Sequence, residues 1–244
     1  MLEPIRVLFS KSLIQATFPK DFGNGGHDQG LPEENLIKKV EKFTQINRHN
    51  FWYCQQVHGT KVAKIEGKKL KSDKNIFPKT DAMITNLKRA VLVVRHADCI
   101  PIFLFDPKKE AIGIAHSGWR GTVGKIGLVT LLKMITEFDC RIDDLIVGLG
   151  PAAQVCCYRK SKNSIFKQLP EWQEFIKEDG KDITIDMSSF IKDMFLKAGV
   201  KKDNLKVNHD CTICDQDYFS WTRQRDRGKT EMRNMSIIAL TENR

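Results

Sequence analysis

The 244-residue sequence predicts one α/β or α+β domain in which a mixed sheet is layered with helices. Three observations lead there. Short β-branched or apolar runs recur along the whole chain, stretches with helical spacing separate them, and their order follows no clean βαβ repeat. No internal repeat or low-complexity linker divides the chain, so a single domain over 1–244 is expected.

In the first half the strand candidates are Ile5–Phe9, Phe51–Val57, Ala82–Thr85, Val91–Val94, Ile102–Phe105 and Ala111–Ala115. Asp106-Pro107-Lys108-Lys109 is turn chemistry, which makes the last two runs a hairpin. Helical spacing covers Glu33–Phe43 and Val123–Phe138; in the second, Ile126, Val129, Leu132, Met134 and Ile135 form one broad apolar face. Leu145–Leu149 reads as a strand, followed by helices at Ser164–Ile176 and Ser188–Ala198, with Ser188 as N-cap and Gly199 just past the end. Leu205–Val207 and Met235–Leu240 close the series as strands, while Gly23-Asn24-Gly25-Gly26 and Gly67–Lys79 read as exposed loops.

A hydrophobic content of 41% supports a substantial core. No run reaches the 18 or so apolar residues of a membrane span, and Met1–Phe9 lacks the apolar block of a secretory signal, so a cytoplasmic protein with no membrane partner is expected. Seven cysteines, an odd number, favour free thiols or metal ligands over a disulfide framework. The formal charge of +10 comes from lysine pairs such as Lys68-Lys69, Lys108-Lys109 and Lys201-Lys202. Scattered in this way they describe solvated faces, and no nucleic-acid partner is expected.

Three metal-capable side chains stand at or beside predicted strand ends: His58 in Gln56-Val57-His58-Gly59, Cys99 in Ala97-Asp98-Cys99-Ile100-Pro101, and His116 in Ala115-His116-Ser117-Gly118-Trp119-Arg120-Gly121. Two imidazoles and a thiolate fill three corners of a zinc tetrahedron and leave the fourth for water, the layout of a catalytic site. Zinc would lower that water's pKa to roughly 7. Their separations of 41 and 17 residues match no local metal motif. Cys211-Thr212-Ile213-Cys214 has no second CxxC at zinc-ribbon spacing, since Cys156-Cys157 are adjacent and far upstream. A second, structural zinc is therefore not expected, and Cys54, Cys140, Cys156 and Cys157 read as core or surface thiols.

Gln-Val-His-Gly, Ala-Asp-Cys-x-Pro, His-x-Gly-Trp-Arg-Gly, a Gly-Pro before Cys-Cys-Tyr, and Cys-Thr-Ile-Cys followed by Phe219-Ser220 and Arg223 occur in order from about Phe51 to Leu240. This series resembles the bacterial YfiH/laccase-domain family, relatives of human FAMIN. The resemblance implies a layered α/β/β/α catalytic domain of cysteine-hydrolase-like type, a catalytic zinc on His58, Cys99 and His116, and phosphorolysis of purine nucleosides together with deamination of adenosine. A multicopper oxidase is not expected, because one cysteine and two histidines do not make several His-rich copper centres.

For those reactions Cys99 is a metal ligand at the catalytic centre and Asp98 a proton carrier or an orienting partner. Arg120 supplies positive charge for phosphate, with Gly118 and Gly121 letting backbone approach an anion before the helix at Val123; its alternative is a structural ion pair. Gln56 is a candidate contact for ribose or base, Trp119 for stacking on purine, and Arg223 for phosphate or nucleoside, against core or surface roles for each. The implied partners are a purine nucleoside and inorganic phosphate, with the chain a monomer or weak homodimer. A peptidoglycan-precursor editing hydrolase and a non-catalytic binding module keeping the metal site stand as alternatives. The chain departs from the family wording at Ser10-Lys11-Ser12-Leu13 and at Tyr158-Arg159-Lys160, segments that can contribute to a substrate mouth.

Overall fold

In the computed structural model, which describes residues 3–26, 31–67, 75–225 and 232–242, the strands are β1 (Leu13–Phe18), β2 (Phe51–Cys54), β3 (Val62–Lys64), β4 (Ile76–Phe77), β5 (Ala82–Thr85), β6 (Val91–His96), β7 (Ile100–Asp106), β8 (Ala111–Ser117), β9 (Ile146–Leu149), β10 (Arg159–Ser161), β11 (Ile176–Asp179), β12 (Asp182–Ile185), β13 (Leu205–Val207) and β14 (Asn234–Leu240). The α-helices are α1 (Glu34–Thr44), α2 (Trp119–Val123), α3 (Ile126–Phe138), α4 (Met187–Lys197) and α5 (Trp221–Arg225). Two mixed sheets dominate, ordered β1-β14-β6-β2-β4 and β13-β9-β7-β8-β5-β3.

Alternation along β7 sets the layers. Phe103 and Phe105 point into a core shared with Trp52, Leu92 and Ile238 of the five-stranded sheet, whereas Ile102 and Leu104 face Leu131 and Met134 of α3 and Phe195 of α4. Buried between the sheets, each phenylalanine contributes roughly 1.5–3 kcal/mol. On the far side, Leu36, Ile37 and Val40 of α1 are buried, and Leu36 and Val40 pack with Phe51, Val91 and Ile237. The result is helix, sheet, sheet, helix. The predicted hairpin joins β7 to β8 with Asp106 opposite Ala111, and the Asp106 carboxylate closes the turn by accepting the Lys108 and Lys109 backbone N–H groups at 2.9 and 3.0 Å.

Local chemistry moves several predicted elements. Ile5–Phe9 makes a single bridge from Ile5 to Thr17, because the Val7 and Leu8 amides donate to the Gln15 side chain at 2.7 and 3.0 Å; the strand lies instead at Leu13–Phe18. Phe51–Val57 stops pairing at Cys54. The predicted helix at Val123–Phe138 divides into α2 and α3 at Gly124 and Lys125, whose φ of 59° is left-handed. Ser164–Ile176 forms two 3-10 turns, with Pro170 at the start of the second. The N-cap of α4 is Asp186, not Ser188, and its carboxylate accepts the Ser189 N–H at 2.9 Å. Of the predicted exposed loops, Gly25 is buried against the Arg233 carbonyl, Ile76–Phe77 forms β4, and 68–74 lies outside the described residues.

Candidate metal centre and its cavity

After Cys54 the chain leaves the sheet. The Gln56 side chain takes over the pairing, its Nε2 donating to the Arg95 carbonyl at 2.7 Å and its Oε1 accepting the Arg95 N–H at 2.8 Å. Beyond it, His58 adopts a left-handed conformation, φ 60°, and the whole turn is gathered by one buried carboxylate. Asp81 accepts the backbone N–H groups of Val57, His58 and Gly59 at 3.1, 2.9 and 2.8 Å. The same carboxylate lies 3.0 Å from Nδ1 of His116.

An ionised carboxylate only accepts, so that bond keeps a proton on Nδ1 and makes Nε2 the nitrogen that faces a metal once the ring's second proton is lost. Burial raises the Asp81 pKa, but the hydrogen bond and charge of His116 outweigh it and the group stays below its ordinary value. Asp81 thus presents both imidazoles: one through its ring, the other through its backbone.

Cys99 completes the set. Its Sγ lies 3.8 Å from His58 Nε2, the two imidazole rings meet edge to face at 4.8 Å, and all three donor atoms fall within 4.8 Å of one another. Zinc bonds of 2.0–2.1 Å to nitrogen and 2.3 Å to sulfur imply a nitrogen–sulfur separation of about 3.6 Å across a tetrahedron. The donor set therefore fits one ion. Gly118 makes room for it: a Cβ there would sit 2.4 Å from His58 Cδ2 and 3.1 Å from Cys99 Sγ. Burial drives the Cys99 thiol up, yet the adjacent His116 charge and the hydrogen bonds of both imidazoles pull it down to about 6. His116 moves the other way, to about 10, because the Cys99 thiolate and Asp81 overcome the cost of burying its charge.

Asp98, left-handed at φ 81°, is held on both oxygens. One accepts the Thr212 hydroxyl at 2.8 Å; the other accepts the Ser220 hydroxyl at 3.1 Å and the Thr222 N–H at 2.8 Å. It ties the segment carrying Cys99 to the C-terminal loops.

These groups open into a cavity of about 550 Å³. Its described lining includes His58, Cys99, His116, Trp119 and six cationic residues, Arg95, Arg120, Arg159, Lys160, Arg225 and Arg233, against one carboxylate, Asp98. The Arg120 guanidinium lies over the Trp119 ring at 4.6 Å, in the first turn of α2 rather than in a loop before the helix. Tyr158, Arg159 and Lys160 lie in the wall, where the departure from the family wording falls; Ser10–Leu13 is not among the lining residues.

Two sequence candidates are turned elsewhere. Gln56 is spent on β6, and Arg223 donates to the carbonyls of Thr212, Ile213 and Asp215 at 2.7 Å each and to that of Tyr218; neither is among the residues lining this cavity. Two contributors escaped the sequence reading. Asp81 carries a signal in hindsight, a carboxylate directly before the apolar Ala82-Met83-Ile84 of a fully buried strand. His96 lines the cavity with Nε2 2.8 Å from the Ser236 hydroxyl, and burial lowers its pKa to about 3, so it is neutral.

The cysteines read as isolated thiols are not isolated. Cys156, Cys157, Cys211 and Cys214 bring their sulfurs within 4.8 Å of one another, which corrects the expectation that the CxxC pair stands alone.

A family model described as multi-copper polyphenol oxidoreductase laccase matches residues 21–241. A protein of Aquifex aeolicus named purine nucleoside phosphorylase is 32% identical over 223 residues, 91% of this chain and 98% of the relative. A mouse protein named purine nucleoside phosphorylase LACC1 is 28% identical over 193 residues, 77% of this chain; the match spans only 43% of that longer protein. Among solved structures, the Bacillus licheniformis hypothetical protein YfiH superposes with a TM-score of 0.81 at 25% identity, covering 94% of this chain and 93% of that one.

Proposed function

The chain belongs to the multi-copper polyphenol oxidoreductase laccase family, and from that membership and its cavity we propose that it is a zinc-dependent purine nucleoside phosphorylase that also deaminates adenosine. One observation carries the reading: a two-imidazole, one-thiolate cluster opens into a cavity lined, among the described residues, by six cations and one carboxylate. Phosphorolysis asks for that combination, because phosphate must be held beside the anomeric carbon of ribose while the glycosidic C–N bond breaks and the purine leaves.

Arg120, exposed within the lining, is the residue proposed to grip phosphate. Trp119 presents its ring at the wall for the purine, with Arg120 moving off its face when the base arrives. Asp98, with both oxygens engaged, acts as a positioning residue for Cys99. His58, Cys99 and His116 would hold a zinc ion, which would supply Lewis acidity beside the substrate. Deamination, in which water replaces the C6 amine and ammonia leaves, uses the same cavity. Copper oxidation finds less support. Of the two donor clusters among the described residues, one has two imidazoles and the other has none.

The test is to incubate zinc-loaded protein with adenosine, with and without phosphate, and resolve the products. Adenine and ribose 1-phosphate formed only with phosphate, and inosine formed in either condition, are expected. Neither product from fully loaded protein would overturn the proposal.

A further inference from the structure

Residues 151–158 and 208–215 run side by side on the flank of the cavity. Ala152 and Cys211 form a parallel bridge, the Thr212 N–H donates to the Ala152 carbonyl at 3.0 Å, and the Ala152 N–H reaches the Asp210 carbonyl at 3.3 Å. This pairing carries Cys156-Cys157 to Cys211-x-x-Cys214, more than fifty positions further along the chain. The Cys214 sulfur lies 3.5 Å from that of Cys156 and 2.9 Å from that of Cys157, and all four lie within 4.8 Å of one another. Zinc–sulfur bonds of 2.3 Å separate the corners of a tetrahedron by about 3.8 Å, so the two closest pairs need to open by less than about 1 Å to take an ion.

We propose that Cys156, Cys157, Cys211 and Cys214 form a second metal site, a closed tetrathiolate centre for one zinc ion that staples the two loops together. Four sulfurs drawn to one point suit a mononuclear ion that prefers soft ligands. With every position filled by protein, the ion has no place for substrate and its role is structural. The Gln154 backbone N–H donates to Cys211 Sγ at 3.4 Å, the kind of outer hydrogen bond that supports a metal-bound thiolate.

The position gives the staple a purpose. Cys157 lines the cavity and is followed by Tyr158, Arg159 and Lys160 of the same wall. On the other loop, Thr212 donates its hydroxyl to Asp98, next to Cys99. An ion joining the loops therefore fixes the wall relative to the catalytic-site segment, without touching either the first centre or the substrate.

The experiment uses the full chain, purified with reductant, loaded with zinc and freed of excess metal. Two zinc ions per chain are expected in the wild type and one in the His58→Ala/Cys99→Ser double variant, which removes the first centre. Adding Cys211→Ser and Cys214→Ser to that variant should take the content to none. Because the quadruple variant can fail to fold, alkylation of the wild type with peptide mapping gives a second readout. Zinc should protect Cys156, Cys157, Cys211 and Cys214, and a chelator in the presence of reductant should expose them. A double variant that holds no zinc, alkylation indifferent to zinc, or a disulfide between Cys157 and Cys214 in the reductant-purified protein would each overturn the proposal. If the first centre is absent but this one exists, the double variant and the wild type hold the same single ion.

Discussion

Replacing Asp81 with asparagine keeps the side chain's shape and exchanges one acceptor oxygen for a donor. Oδ1 serves the His58 N–H and His116 Nδ1, while Oδ2 serves the Val57 and Gly59 N–H groups. With the amide nitrogen in the Oδ2 position, the Val57 and Gly59 N–H groups both face another donor. At about 1–3 kcal/mol for each stranded group, the loss is roughly 2–6 kcal/mol. In a chain of this size that corresponds to a fall in Tm of roughly 4–24 °C. A second effect is separate from stability. If the amide nitrogen faces His116, the imidazole proton moves to Nε2 and blocks the metal-binding lone pair, and loss of such a partner weakens metal binding about 10- to 100-fold. Thermal melts with excess chelator isolate the folding cost; competition with a chromophoric chelator at 25 °C isolates the affinity. An Asp81→Asn protein with unchanged melting and unchanged zinc affinity would refute the role given to this carboxylate.

Four further outcomes are expected. Gly118→Ala places a Cβ 2.4 Å from His58 Cδ2 at an ordinary backbone angle, so zinc affinity should drop more than about 10-fold; wild-type affinity in a competition titration would count against the geometry. In metal-free protein the Cys99 thiolate should be present above about pH 6 and lost as the pH falls through that value, so alkylation at Cys99 should rise through pH 6 while Cys140, which burial pushes up to about 12, stays unreactive at neutral pH. His116→Ala removes the charge that opposes burial and should move the Cys99 midpoint above the ordinary thiol value of about 9; an unmoved midpoint contradicts the pairing. Arg223→Ala leaves four carbonyls without their donor and should lower Tm while leaving the KM for phosphate within about twofold of wild type, whereas a large KM change with intact stability would restore Arg223 as a substrate contact.

The strands and the positions of His58, Cys99 and His116 beside them were legible from local signals, whereas the two-sheet layering followed from the family resemblance. Short continuous apolar runs mark β6, β7 and β8, and a histidine or cysteine beside such a run stands where a sheet presents its functional groups. The three-stranded sheet of β10, β12 and β11 was hidden by its half-exposed, charge-rich strands, although Asp179-Gly180 marks its hairpin turn and Gly180 has a φ of 60°. Gln56 and Arg223 read as ligand contacts because polar side chains near a motif invite that role. In fact each replaces a missing backbone partner, one for a strand that ends early and the other for a loop's carbonyls. The four-cysteine cluster lay beyond any spacing rule, since it depends on the Ala152–Cys211 pairing between loops far apart in sequence.

The account stands or falls on a single ion shared by His58, Cys99 and His116 at the floor of the cationic cavity. Anomalous diffraction at the zinc edge from crystals of the loaded protein tests this directly. A peak about 2.0–2.3 Å from the two imidazole nitrogens and the Cys99 sulfur is the expected result. Clear density for those three side chains with no anomalous peak between them would contradict it.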